Sequence, residues 1–169
     1  MPAKKRKTRL AAQAAPLARV SPGVVPTIDT KVPVYTHAEL EAQLSQARSA
    51  EEAFEVLYRG AGLIPFADKN ALAATGRSFT IRRIGKRPGG GYEGDDDWAL
   101  AIVDEDGAPA ILTFEENPSR DAFLTACVAI VERYGEVPAV CLQRYEKKDQ
   151  EQHFFAIVPR SRWKAQLSE

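Results

Sequence analysis

The 169-residue sequence is poor in the residues that define several protein classes, with two cysteines, two histidines and one methionine. So few cysteines exclude a small scaffold held together by disulfides, and Cys127 and Cys141 lie in apolar stretches typical of buried thiols. No apolar run approaches the roughly 20 residues of a membrane-spanning helix, so no membrane partner is expected. The basic start is not followed by the apolar segment of a secretory signal, which predicts a cytoplasmic location.

Charge is balanced overall, with 23 Lys and Arg against 23 Asp and Glu, but it is unevenly distributed. Acidic residues predominate in residues 77–159, and basic residues predominate towards both ends. Binding of a nucleic acid would therefore depend on local basic patches and not on the overall charge.

The composition along the chain predicts four parts. Residues 1–34 contain a basic cluster and several prolines, which predicts a flexible arm, and two capping boxes at Thr36 and Ser49 predict a helical extension over residues 35–76. Residues 77–159 form the main domain and residues 160–169 a basic tail. The cations of the arm are Lys4, Lys5, Arg6, Lys7 and Arg9.

The residue pattern of the main domain predicts an α+β fold that is mainly β. Alternating patterns indicate strands over residues 78–84, 98–103, 108–114, 137–145 and 152–158, and Asn117 with Pro118 begins a helix that ends before Gly135. The order β-β-β-α-β-β is that of the OB-fold, a five-stranded barrel that binds oligonucleotides or oligosaccharides. An open sheet packed on one helix would give the same order.

Cations alternate with aromatic residues around two loops of this domain, as in the grooves that bind single-stranded nucleic acids. Arginine guanidinium groups bind phosphates and stack on bases, and aromatic rings provide stacking surfaces. The alternation of Trp98, Leu100 and Ile102 also indicates a core face, which is the competing interpretation for Trp98. The residues predicted to bind nucleic acid are Arg82, Arg83, Lys86, Arg87, Tyr92, Trp98, Tyr145, Lys147 and Lys148.

Several short segments also resemble the single-stranded-DNA-binding proteins of phages, which have the OB-fold. These are Arg87-Pro-Gly-Gly-Gly-Tyr92, residues 98–103, Leu112-Thr-Phe114 and residues 117–121, so the resemblance covers residues 78–158. It implies a role in phage or mobile-element DNA replication or recombination, with single-stranded DNA or RNA as the partner.

An enzyme is not expected, because neither histidine belongs to a catalytic or metal-binding pattern. No cofactor and no metal are predicted, although a metal-dependent nuclease using the acidic run at Asp95 is a remote alternative. The main rival function is a protein-interaction module, such as an inhibitor, an immunity factor or a structural virion component, without nucleic-acid binding. The two amphipathic N-terminal helices could also join copies of the chain into a homo-oligomer.

Overall fold

The computed structural model describes residues 25–146 and 153–165, and within these ranges it contains four α-helices and five β-strands. The helices are α1 (His37–Ser45), α2 (Ala50–Ala61), α3 (Lys69–Thr75) and α4 (Pro118–Tyr134). The strands are β1 (Phe79–Arg87), β2 (Asp97–Asp104), β3 (Pro109–Glu115), β4 (Val137–Glu146) and β5 (His153–Pro159). The predicted order of elements is confirmed, and β1 extends three residues further than the sequence pattern indicated.

Local side-chain caps explain where the helices begin. Thr36 and Glu39 form a complete capping box at α1, and the Ser49 hydroxyl accepts a hydrogen bond from the Glu52 amide at α2. The Asn117 side chain caps α4, where Pro118 occupies the first turn. The predicted helix starts are confirmed, but the predicted capping box at Ser49 is incomplete, because the Glu52 carboxylate accepts a hydrogen bond from the Arg48 amide (2.8 Å).

The five strands form one open antiparallel sheet in the order β3-β2-β1-β4-β5. The predicted closed barrel is therefore corrected to an open sheet with β3 and β5 at its edges. Closure requires hydrogen bonds between the two edge strands, and among the described residues β5 pairs with β4 alone.

The inner face of the sheet packs against α4 and contains the larger side chains. Trp98, Leu100 and Ile102 of β2 are buried there against Leu124 and Val128 of α4. The predicted core face of β2 is confirmed. Both cysteines are buried and free, and burial raises the pKa of the Cys127 thiol to about 11.

The outer face of β2 is also buried, because a segment that precedes α1 covers it. Ile28 and Val34 pack against Ala99 and Ala101 of this face. Two hydrogen bonds join Lys86 to the segment, from the Lys86 amide to the Pro26 carbonyl (2.9 Å) and from the Ile28 amide to the Lys86 carbonyl (3.0 Å).

This packing corrects the prediction of a flexible arm for residues 25–34. The prediction for residues 1–24, including the five cations of the basic arm, lies outside the described residues. Gly85 allows the close approach, since a Cβ atom there would collide with the Pro26 carbonyl. A proline-containing segment can thus be held in place by packing on another part of its own chain, even when it forms no helix.

The beginning of the predicted basic tail is also packed on the domain. Arg160–Arg162 form a short 3₁₀ turn, after which the Trp163 indole donates a hydrogen bond to the Ala73 carbonyl (3.2 Å). The Lys164 amide donates to the Gln143 side chain (2.9 Å). Residues 160–165 therefore attach β4 to the end of α3.

We expect Ile28→Ala to lower the free energy of unfolding by about 2–4 kcal/mol, because it removes a buried side chain from a packed face. Val32→Ala in the same segment should change it by less than about 0.5 kcal/mol, since the Val32 side chain is exposed. Urea unfolding of both variants measures the difference. Equal, small effects would show that the segment does not contribute to the core.

Candidate binding surfaces

The cations predicted on β1 do not form one groove, because a β-bulge and the strand pleat place them on different faces. The register shifts between Ile81 and Arg83, so Arg82 is the extra residue of the bulge. Lys86 lies opposite Trp98 and shares the inner face with it, whereas Arg87 lies opposite Asp97 on the outer face.

Arg82 and Arg83 bind the N-terminal part of the chain. Arg82 forms an ion pair with Glu39 of α1 (2.6 Å) and lies 3.9 Å from Glu136. Arg83 donates hydrogen bonds to the carbonyls of Val32 (2.7 Å) and Asp29 (3.5 Å), and burial lowers its pKa. Both guanidinium groups therefore hold the extension against the sheet.

Lys86 and Arg87 are paired with carboxylates of the main domain. Lys86 contacts Glu116, lies 3.7 Å from Asp121 and stands 4.4 Å from the centre of the Trp98 ring. Arg87 makes two hydrogen bonds to Asp97, at 3.0 and 2.8 Å, and these raise the pKa of Arg87. Asp97 is buried at the start of β2, unlike the exposed Asp95 and Asp96 of the same acidic run.

The predicted aromatic residues lie in three different environments. Trp98 is fully buried (0% exposed) and its indole donates to Asp121 (2.7 Å), so its ring has no face open to a base and its proposed stacking role is corrected. Tyr92 is 79% exposed in the loop between β1 and β2. Tyr145 is 43% exposed and stacks on Phe154 at 5.3 Å. The predicted lysines Lys147 and Lys148 lie outside the described ranges.

The surroundings of Tyr92 are acidic. A surface hollow of about 600 Å³ is lined here by Gly91, Tyr92, Gly94, Asp95, Asp96, Glu115 and Glu116. Four carboxylates at one exposed tyrosine oppose a phosphate backbone. Tyr92 is therefore a poor position for a nucleic acid.

A second feature is a mainly apolar groove of about 540 Å³ between β5 and the start of α4. We call it the β5 groove. Its lining residues are Phe114, Asn117, Ser119, Arg120, Phe123, Leu124, Phe154, Phe155, Ala156 and Ile157. The Phe123 ring of α4 is 50% exposed on this lining.

The two edges of the sheet differ in what covers them. Ile111 of β3 accepts a hydrogen bond from the Ala67 amide (2.7 Å) and donates one to the Pro65 carbonyl (2.9 Å). The carbonyls of Thr113 and Glu115 accept from other parts of the chain, as described next. Within the described ranges, no such segment lies along the outer edge of β5.

Two cations that donate to carbonyls of the β3 edge, Lys69 of α3 and Arg120 of α4, lie at the β5 groove. The Lys69 ammonium donates to the Thr113 carbonyl (2.8 Å) and lies 5.2 Å from the Phe114 ring and 5.9 Å from the Phe155 ring. The Arg120 guanidinium donates to the Glu115 carbonyl (2.9 Å) and lies 5.1 Å from the Phe114 ring.

Sequence reasoning did not identify Lys69 and Arg120. A lysine at a helix start and an arginine after Pro118 have no distinctive local pattern. Their proximity depends on the sheet order, because α3 crosses from the covered edge of β3 towards β4. The two phenylalanines of β5 were visible in the sequence, but the pattern did not show that β5 is an edge strand of the sheet.

A further apolar surface lies on α2. Phe54, Leu57 and Tyr58 occupy neighbouring positions of this amphipathic helix, and all three are exposed. Leu63 beyond the helix end is exposed as well. A homo-oligomer formed through the N-terminal helices stays a prediction, and these exposed residues are its candidate contacts.

The remaining candidate features are a metal site, the two histidines and a membrane-spanning helix. In residues 25–146 and 153–165, no group of three or more His, Cys, Asp or Glu is placed to hold a metal ion. His37 lies 2.9 Å from Glu41 on exposed α1, while His153 packs edge-on against Phe155. No helix in these ranges is long and apolar enough to cross a membrane.

Glu39→Gln should lower the free energy of unfolding at neutral pH by about 0.5–1 kcal/mol, because it removes the charge that pairs with partly exposed Arg82. Burial acts to raise the pKa of Glu39, but hydrogen bonds from Thr36 and Arg82 outweigh it and lower the pKa. The stabilisation is therefore present above the ordinary carboxyl pKa and is lost as the pH falls through the lowered value.

Urea unfolding at several pH values measures this effect. The difference between the wild type and Glu39→Gln should vanish in acid, and Glu41→Gln, at an exposed position of the same helix, should show little difference at any pH. A difference that is independent of pH would contradict the charge pairing.

The described geometry includes one apolar groove beside an uncovered strand edge, while the β1 cations are engaged within the chain. Comparison of the chain with protein-family models, curated proteins and solved structures gives no match. The resemblance to phage single-stranded-DNA-binding proteins therefore stays a prediction.

Proposed function

We propose that the chain is a non-catalytic protein-interaction module whose β5 groove accepts an extended segment of a partner protein. The observation that carries this proposal is the position of the groove beside the outer edge of β5, along which no segment of residues 25–146 or 153–165 pairs. An added strand can form main-chain hydrogen bonds with such an edge, and neighbouring pockets can accept its alternate side chains.

The walls of the groove suit an apolar peptide side chain. Phe123 and Phe154 are both partly exposed on opposite sides, and Leu124 forms part of the floor. Aromatic rings that are partly exposed in a concave site gain buried area when a partner covers them.

The fold at the groove also supports a finer proposal, that the open sheet is an OB-like barrel with a gap between β3 and β5. The helix lies between the third and fourth strands, as in the OB-fold. Lys69 contacts Phe114 of β3 and Phe155 of β5, so one side chain spans from one edge strand to the other. A bound segment would lie at this gap.

Phe123→Glu is expected to abolish peptide binding with little change in stability, because Phe123 is half exposed on the groove wall. A displayed library of short random peptides provides the probe, and binding of the enriched peptides is measured by titration with the purified protein. Tyr134→Glu is the matched control, since Tyr134 is exposed on α4 but lies far from the groove.

Amide chemical-shift changes during the titration should concentrate on β5 and the first turns of α4. The proposed function is overturned if the enriched peptides bind both variants with the same affinity as the wild type. It is also overturned if the selection enriches no peptide.

Single-stranded nucleic-acid binding is the second candidate function, and one specific observation favours it. Tyr145 and Phe154 form an exposed stacked pair, and Lys147 and Lys148 follow Tyr145 by two and three positions in the sequence. Bases stack on such rings, and lysines near them bind phosphates. This candidate would involve the phage-type role implied by the resemblance.

For this second function, Tyr145→Ala should weaken binding of oligo-dT by about 1–3 kcal/mol, because it removes a stacking surface. Tyr92→Ala is the matched control and should have little effect, since Tyr92 lies among carboxylates. Titrations at several salt concentrations measure both the affinity and the number of phosphate contacts. Equal affinities of the wild type and Tyr145→Ala would remove the support for this candidate.

A further inference from the structure

Two cations lie at the β5 groove without a direct ion pair in the described ranges, Arg120 on its lining and Lys69 beside its Phe114 and Phe155 rings. Glu115 is close enough to act on both charges electrostatically, but it is not hydrogen-bonded to either through its carboxylate. Among the described residues, neither Lys69 nor Arg120 has a carboxylate oxygen within ion-pair distance, although each donates one hydrogen bond to a β3 carbonyl. This differs from Arg82, Lys86 and Arg87, which all have carboxylate partners.

The nearest acids are occupied by other groups or exposed. Asp97 is bound to Arg87, and Asp121 accepts the hydrogen bond of the Trp98 indole and lies near Lys86. Glu115 is exposed at the end of β3. The positive charges at the groove are therefore not neutralised by direct pairing.

Both cations are held in place, partly removed from water and close to one aromatic ring. Lys69 and Arg120 stand at nearly equal distances from the Phe114 ring, 5.2 and 5.1 Å. Burial, followed by the repulsion of Arg120, lowers the pKa of Lys69, and burial lowers the pKa of Arg120. Each cation uses one donor on β3, so further donors of the ammonium and guanidinium groups remain for a ligand.

We propose that Lys69 and Arg120 bind an Asp or Glu side chain of the extended partner segment in the β5 groove. This inference rests on the proposed function and names the chemistry that the groove selects. The carboxylate would accept hydrogen bonds from both cations, while apolar neighbours of that residue would contact Phe123 and Phe154. Charge-assisted hydrogen bonds of this kind are stronger than neutral ones.

The surrounding charges favour a single carboxylate over a polyphosphate chain. Asp95, Asp96 and Glu116 lie at the hollow that Glu115 also lines, next to the end of β3. A nucleic-acid backbone carries one negative charge for every nucleotide and would bring several of them close to these acids. An isolated acidic side chain between apolar residues avoids this repulsion.

The test uses the full chain and a peptide enriched in the display experiment, with an acetylated N-terminus and an amidated C-terminus. The probes are this peptide and its variants with each Glu or Asp replaced by Gln or Asn. We expect one replacement to weaken binding by about 10- to 100-fold, the range of a lost charge-assisted hydrogen bond.

Protein variants locate the effect at the cation pair. Lys69→Gln and Arg120→Gln should each weaken the acidic peptide but leave its neutral variant unchanged. Lys69→Arg and Arg120→Lys should retain most of the preference, and Arg48→Gln, at an exposed position away from the groove, should have no effect. Thermal unfolding identifies any variant that fails to fold. If a glutamine variant does not fold, the peptide preferences of Lys69→Arg and Arg120→Lys decide the test.

The outcomes separate this inference from the proposed function. Equal binding of acidic and neutral peptides would overturn the inference and leave the proposed function intact. An acidic preference that persists in both glutamine variants would also overturn it. If no peptide binds, or if oligo-dT binds and requires Lys69 and Arg120, then both the inference and the peptide-binding function are wrong.

Discussion

Burial of β2 on both faces is the constraint on which the rest of the structure depends. The face of β2 that contains Trp98, Leu100 and Ile102 requires one cover, and the face that contains Ala99 and Ala101 requires another. The first is α4, whose length matches the strand, and the second is a segment without regular secondary structure. Small residues on the outer face allow this segment to approach closely, so the sheet becomes a central layer between two unlike covers.

The double cover determines what the cations of β1 do. On the outer face Arg83 meets the N-terminal segment, and on the inner face Lys86 meets the acids at the start of α4. Arg82 joins α1 to the sheet, and Arg87 joins the glycine-rich loop to the base of β2. A dense run of basic residues has thus become a set of internal attachments, because folding brings carboxylates to Arg82, Lys86 and Arg87 and main-chain carbonyls to Arg83.

Much of the secondary structure could be predicted because its signals are local. The Thr36 capping box, Asn117 with Pro118, and the alternation around Trp98 each act within a few residues. The cover of the outer face depends on contacts such as Ile28 with β1 and Arg82 with Glu39, which join residues more than forty positions apart. No local pattern contains that information. The β5 groove was missed for the same reason, since it exists only where two edges of the finished sheet come near each other.

The unequal edges of the sheet have a consequence for how copies of the chain can meet. Ile111, Thr113 and Glu115 of β3 already use their outward carbonyls within the chain, whereas the described part of β5 keeps its outer edge uncovered. Continuous growth of a sheet from molecule to molecule needs two accepting edges on every molecule. A molecule with one accepting edge can only form a closed pair by this route, and that pair would occupy the same edge as a partner segment. Coverage of β3 therefore protects the fold against fibre-like assembly while leaving one strand for recognition.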